Sequence, residues 1–277
     1  MSDAAAYAAL DSAFSVASDD VHVLELIDRL YAHCRTDREP EHRFEVVSDE
    51  VGWALGLDGV AVLRDAPASL ALERLAWEVN QLAWRSVDAG LLIHAAAVRI
   101  DGTGVVLCAG SGRGKSTLAL GLCERGAEYM SDEIAVVDLA GVAAEARCAL
   151  RGFPRPIGLR HGSWPLVERF EPNCHPQVAL FMDDVWFIAP PVAAFEASVD
   201  VLVFPIYDAS ANDRVEAIAA SEAAAIVGDQ APNLARFGSS ALDDVQRLVA
   251  SATTARLVFS DLGAACDLVR DLVATGS

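Results

Sequence analysis

"CAGSGRGKST" (residues 108–117) is the stretch on which the reading of the whole chain turns. Gly110, Gly112 and Gly114 recur at alternate positions, so the backbone N–H groups among them carry few side chains to obstruct a close approach by phosphate oxygens. Lys115 is placed to bring a point charge to the outer phosphates, and the Ser116 hydroxyl to ligate a magnesium ion. Ser111, Arg113 and Thr117 complete a phosphate-binding run over 110–117. The strict pattern opens with glycine where this chain has Ala109. At the end of an extended strand no positive φ is demanded, so a methyl group is tolerated there.

The flanking sequence supplies the context such a loop needs. "LLIHAAAVRI", "DGTG" and "VVLCAG" predict a β-hairpin closed by an Asp-Gly turn, its second strand running into the loop. "KSTLALGLCERG" has helical spacing and a closing glycine at Gly126. "EYMSDEIAVVDL" reads as the next strand, with Asp132 and Glu133 at its end, seventeen and eighteen residues beyond Lys115. Strand, glycine loop, helix and strand ending in carboxylates is the order nucleotide chemistry uses. One carboxylate holds the metal, and transfer to an alcohol also gains from a base for the hydroxyl proton. An acidic pair after "YMS" also fits a solvated strand end.

Three regions are expected: 1–88, a small α+β lead-in; 89–210, the loop-bearing core; and 211–277, mostly helical and peripheral. In the first, "VHVLELIDRLYAHC" (21–34) predicts a helix capped by the preceding Ser-Asp-Asp, and "RFEVVSD" and "GVAVLRD" predict strands. "SLALERLAWEVNQLAWRSV" (69–87) predicts a long amphipathic helix beginning at a serine, with Trp77 and Trp84 as packing residues on one face. Residues 150–205 are punctuated by proline, with "VWFIAP" and "VLVFPIY" as strands. Three helical stretches around the strand "ARLVF" fill the C-terminal region.

Forty acidic against 21 basic residues give a net charge of −19 with no basic run, which argues against nucleic acid and acidic membrane as partners. One basic loop and a metal ion suffice locally for a nucleotide. Six cysteines without CxxC spacing indicate neither a zinc site nor a disulfide framework. No apolar run reaches the roughly 18 residues a bilayer requires, and the N-terminus lacks a signal peptide's basic flank, so a cytoplasmic protein is expected.

Residues 93–138 resemble the catalytic core of HPr kinase/phosphorylase, and more closely the kinase-like proteins related to it. His94 before the hairpin, Ser111 in the loop, Arg125-Gly126 at the helix end and the pair Asp132-Glu133 fall in that family's order. The resemblance implies an α/β fold with a P-loop kinase core shared with ATP-dependent phosphoenolpyruvate carboxykinase. It also implies ATP and Mg2+ as cofactors and transfer of the γ-phosphoryl group to a serine hydroxyl. It makes Asp132 the acid/base, with Lys115 and His94 as further catalytic residues. Glu133 stands where the bifunctional enzymes have a second aspartate; Ser116, Asp132 and Glu133 form the metal set. "ALRGFPRPIGLR" is similar to the family's Glu-x-Arg-Gly signature, but its glutamate falls on Ala149, and the first 90 residues or so do not resemble the bifunctional enzymes' N-terminal domain. A divergent kinase is therefore expected. Its acceptor is a serine-containing peptide, including a ribosomal-peptide precursor, a protein or a small molecule; a homo-oligomer is compatible.

Arg151 and Arg155 are placed to neutralise charge on the transferred group, Arg155 as a nucleotide-binding residue, although each also reads as a surface arginine. His94 reads either as orienting a carboxylate or approaching the acceptor, or as a core histidine paired by backbone. Asp183-Asp184 reads as a turn, and His161 and His175 lack partners at metal spacing. The competing function is a nucleotide-binding regulatory protein that hydrolyses ATP slowly or not at all. A decarboxylating enzyme lacks the extra basic and metal-binding residues it needs.

Overall fold

The computed structural model describes residues 5–139, 147–165, 180–182, 185–190 and 192–276. They divide into two units, Met1–Asp88 with Arg155–Pro190, and Ala89–Pro154 with Pro191–Ser277. Asp183-Asp184 and His175 lie outside the described residues.

In the first unit β1 (Ala6–Ala9) and β2 (Ser12–Ser18) form a hairpin, and α1 (Val21–Leu30) leads to β3 (His42–Ser48), parallel to β2. The Asp20 side chain caps α1 by accepting from His22 N–H at 2.8 Å, as the acidic lead-in predicts. The helix ends four residues before Cys34, because Tyr31 leaves it to pack its ring on Tyr7 and Phe14, with centroids 6.0 and 5.5 Å away. β4 (Trp53–Leu57) and β5 (Val60–Ala66) complete the sheet in the order β1-β2-β3-β4-β5. α2 (Ala68–Ser86) starts one residue before the expected serine: Pro67 carries the capping carbonyl, which accepts from Leu70 and Ala71 N–H at 3.1 Å. Trp77 is 46% exposed and carries the Arg74 guanidinium 4.3 Å above its ring, so it is a surface platform and not a core residue.

The second unit opens with β6 (Leu91–Ile93), β7 (Ala95–Ile100) and β8 (Thr103–Cys108). Asp101 and Gly102 both take positive φ, 51° and 87°, closing the β7–β8 hairpin with the backbone that the Asp-Gly turn demands. After the glycine loop, α3 (Lys115–Glu124) ends in a Schellman motif: Ala127 N–H donates to the Leu122 carbonyl and Gly126 N–H to that of Cys123, with Gly126 at φ 90°. β9 (Glu128–Ser131), β10 (Ala135–Asp138) and β11 (Ala149–Arg151) follow. The chain then returns to the first unit for a small antiparallel sheet of β12 (Ile157–Arg160), β13 (Leu180–Met182) and β14 (Val185–Ile188), before β15 (Glu196–Ser198) and β16 (Val201–Tyr207) re-enter the second. β17 (Arg214–Glu216), α4 (Ala220–Asp229), α5 (Ala241–Ser251), β18 (Thr253–Phe259) and α6 (Leu262–Gly276) complete it.

Two sheets of the second unit run in the orders β17-β18-β16-β8-β7-β9 and β15-β11-β10-β6, so the molecule is mixed α/β with several sheets. β16 pairs in parallel with both β8 and β18, while β7 is antiparallel to its neighbours β8 and β9, so β9 runs in the same direction as β8. Val106, Cys108, Leu202 and Phe204 join residues of both sheets and of α4 and α5 in one apolar cluster. The alternating Val105, Leu107, Val201 and Val203 are equally buried, so both faces of the central strands are covered, and α3 and α6 pack together beside β7 and β18. No helix among the described residues is long and apolar enough to cross a membrane.

Candidate nucleotide site

Two runs that read as single strands are each broken in the structure. β7 pairs with β9 in the larger sheet, and β6 pairs with β10 in the smaller one. The last partners on either side are Ala97 with Ser131 and Ile93 with Ala135. The ladder therefore changes sheet at one place, and the residues at the break are His94 on one side and Asp132 and Glu133 on the other. Polar groups that interrupt two apolar runs mark the point where the strands turn.

Glu133 takes φ 76°, a left-handed conformation that costs a non-glycine residue about 1–2 kcal/mol. Its Oε2 lies 3.2 Å from His94 Nε2, so the imidazole and this carboxylate are in contact. The His94 main chain is held as well, its N–H donating to the Gln230 carbonyl at 2.7 Å. Two residues away, the buried Asn233 side chain accepts from Leu92 N–H at 2.9 Å and donates to the Gly90 carbonyl at 3.0 Å. The turn after α4 thus clamps the strand that ends in His94.

The loop leaves β8 at Ala109, which is not among the residues of positive φ, and enters α3 through Gly114 at φ 86°. A Cβ placed on Gly110 or Gly112 meets no atom within 4 Å. Ser111 and Arg113 are exposed at its crest, and Ser116 and Thr117 lie half-buried in the first turn of α3. Lys115 is 6% exposed, and its Nζ donates to the Ala109 and Gly110 carbonyls at 2.7 and 3.1 Å. Burial holds its pKa below the ordinary lysine value, while the nearby charges of Asp132 and Glu133 pull the other way. The cation thus lies within electrostatic reach of the acidic pair. Asp132 is 2% exposed, which does not fit a solvated strand end. Burial pushes the adjoining Cys108 thiol up to about 12, so it offers no thiolate at neutral pH.

Lys115 is also the only lysine in the chain; every other member of the 21 basic residues is arginine. A compact, three-donor ammonium kept in one place among guanidinium groups is a compositional signal for this position. Tyr207 and Phe259, at the ends of β16 and β18, stand next to Gly114, and no local sequence signal reports it: the strands meet the loop only through long-range parallel pairing.

Arg151 extends β11, with its guanidinium 3.4 Å from the Ala89 carbonyl. Gly152 follows where a Cβ would come within 2.6 and 2.8 Å of the Ala194 and Met130 carbonyls, so glycine is required there for close packing. Arg155 belongs to the other unit, where it is buried and its charge acts on Tyr31 and Cys34.

Asp132, Glu133 and Ser116 offer only oxygen donors. Among the described residues no three His, Cys, Asp or Glu side chains gather to hold a metal by themselves. Such a set fits magnesium, which commonly takes one or two carboxylates and completes its shell with water and phosphate.

The chain matches no family model and no curated protein. Among solved structures it is similar to the Hpr(Ser) kinase/phosphatase from Coxiella burnetii, with a TM-score of 0.35 and 13% sequence identity over 66% of this chain and 97% of that one.

Proposed function

We propose that this chain is an ATP- and magnesium-dependent kinase that transfers the γ-phosphoryl group to a hydroxyl, a serine of a peptide or protein or the alcohol of a small molecule. The observation that carries the reading is the buried Lys115 ammonium, bonded to the Ala109 and Gly110 carbonyls of a loop with open space at Gly110 and Gly112, and in the field of Asp132 and Glu133. The motif order over residues 93–138, similar to HPr kinase, supports it independently.

In this reading the loop amides and Lys115 bind the phosphates, and Ser116, Asp132 and Glu133 hold the magnesium, which when bound neutralises charge on the outer phosphates. The acceptor oxygen attacks the γ-phosphorus, the bond from that phosphorus to the β–γ bridging oxygen breaks, and ADP leaves. Asp132 accepts the hydroxyl proton. His94 fixes Glu133, and a cytoplasmic setting supplies the ATP.

The test pairs two variants. Lys115→Ala should weaken ATP binding by about a hundredfold or more, the loss expected for a desolvated charge contact. Asp132→Asn should bind ATP normally and lose about a hundred- to ten-thousandfold in transfer to serine-containing peptides. Undiminished transfer by Asp132→Asn overturns the assigned base. Tight ATP binding by the wild-type chain with no phosphorylated product favours a regulatory nucleotide-binding protein.

A further inference from the structure

The sheet order also bears on which way a bound nucleotide would point. Along β18-β16-β8-β7-β9, the carboxylates follow β9 on one side of the loop strand, and β16 and β18 lie on the other. Both run parallel to β8, so their C-terminal ends open on the same edge as the loop, the edge where open α/β sheets bind ligands. A polyphosphate lying on the loop with its last phosphorus toward Asp132 would direct its nucleoside end to the side of β16 and β18.

Tyr207 and Phe259 stand there, paired in register as the last residues of those strands. A Cβ on Gly114 would lie 3.0 Å from Phe259 Cζ and 3.6 Å from Tyr207 Cβ, so the pair abuts the loop. Phe259 is buried and packs edge-to-face with Tyr207, ring centroids 5.6 Å apart at 65°. Tyr207 is 50% exposed. A half-exposed aromatic ring packed against a buried one, next to a phosphate loop, is suited to stacking a planar base. The residues that follow set the sign of the charge. Asp208 accepts from the Ser210 N–H and hydroxyl, and Asp213 from the Ser260 and Asp261 N–H groups; both carboxyls are held below their usual range by these bonds. An acidic edge repels phosphate and leaves room for the uncharged base and ribose.

We propose that Tyr207, buttressed by Phe259, is the stacking platform for the base of the nucleotide, an inference that rests on the kinase reading above. Titration of the full chain with ATP and with inorganic tripolyphosphate tests it, using wild type, Tyr207→Ala and Tyr207→Trp. Tyr207→Ala should weaken ATP by about tenfold or more and leave tripolyphosphate within about twofold, because only ATP carries a base; Tyr207→Trp should keep ATP affinity. If wild type binds both ligands and Tyr207→Ala changes neither, or weakens both alike, the platform is refuted while the phosphate site stands. If wild type binds neither ligand, the kinase reading fails and the platform with it. Loss of ATP by Tyr207→Trp to the same extent as by Tyr207→Ala also refutes stacking.

Discussion

The two ends of β8 use the same residue types to opposite effect. At its start, Gly104 is a place of contact: a Cβ there would lie 2.0 Å from the Ser198 carbonyl oxygen. Its N–H donates at 2.8 Å to Asp200, a buried carboxylate that also accepts from the Ser198 hydroxyl and forms an ion pair with Arg147. Each polar group of that cluster is answered by the chain itself. At the other end, Gly110 and Gly112 open onto space, and the buried carboxylate, Asp132, lies in the field of a buried ammonium. A buried aspartate near a glycine therefore does not by itself mark a site. What separates the two ends is whether the volume left by the missing side chain is filled by the protein or left for something else.

That contrast can be broken first through the glycines. Gly104→Ala drives a methyl group into backbone and should cost more than about 3 kcal/mol in chemical denaturation, whereas Gly110→Ala, with neither contact nor positive φ, should stay within about 0.5 kcal/mol of wild type. Equal costs would abolish the distinction. A smaller effect, of opposite sign, concerns the strained carboxylate. Glu133→Gly removes a left-handed non-glycine residue and should raise stability by about 0.5–1 kcal/mol while lowering transfer activity, since it also removes the partner of His94. A loss of stability would show that the His94 contact outweighs the backbone strain.

The smallest effect is on pH dependence. The folded-state pKa of Lys115 is lowered, so between that value and the ordinary lysine value the unfolded chain binds the extra proton. Burial of the charged form therefore subtracts stability at neutral pH, and the loss is recovered as pH rises toward about 10.5. Unfolding midpoints of wild type and Lys115→Met should converge across that window; a gap independent of pH would mean that the ammonium is not penalised by burial.

Local signals carried much of the loop end. Asp101-Gly102 closes the hairpin, Gly126 ends α3 and Gly114 starts it, because each of these conformations depends on one or two residues with special φ. The acidic pair was legible too, but not its setting. "LLIHAAAVRI" and "EYMSDEIAVVDL" each read as one strand, since alternation cannot report that a ladder passes from one sheet to another; the polar residues His94 and Asp132-Glu133 within them stand at that transfer. The clamp by Gln230 and Asn233 and the placing of Tyr207 by Gly114 arise from contacts between distant parts of the chain, and no local pattern encodes them. The association of 155–190 with the first unit has the same origin. Trp77 had the spacing of a buried residue, yet Arg74 one turn earlier offered it a cationic lid at the surface instead.

A chain with a single ε-amine carries its own reporter. Acylating reagents selective for lysine can modify one side chain, and a protease that cuts after lysine has one bond to sever, at the junction of loop and helix. Because that amine is sunk beneath the loop, the rate at which it is modified or the bond is cut measures how often the loop lifts, and slowing of either by a candidate nucleotide reads out occupancy without a label, an antibody or an assay of turnover.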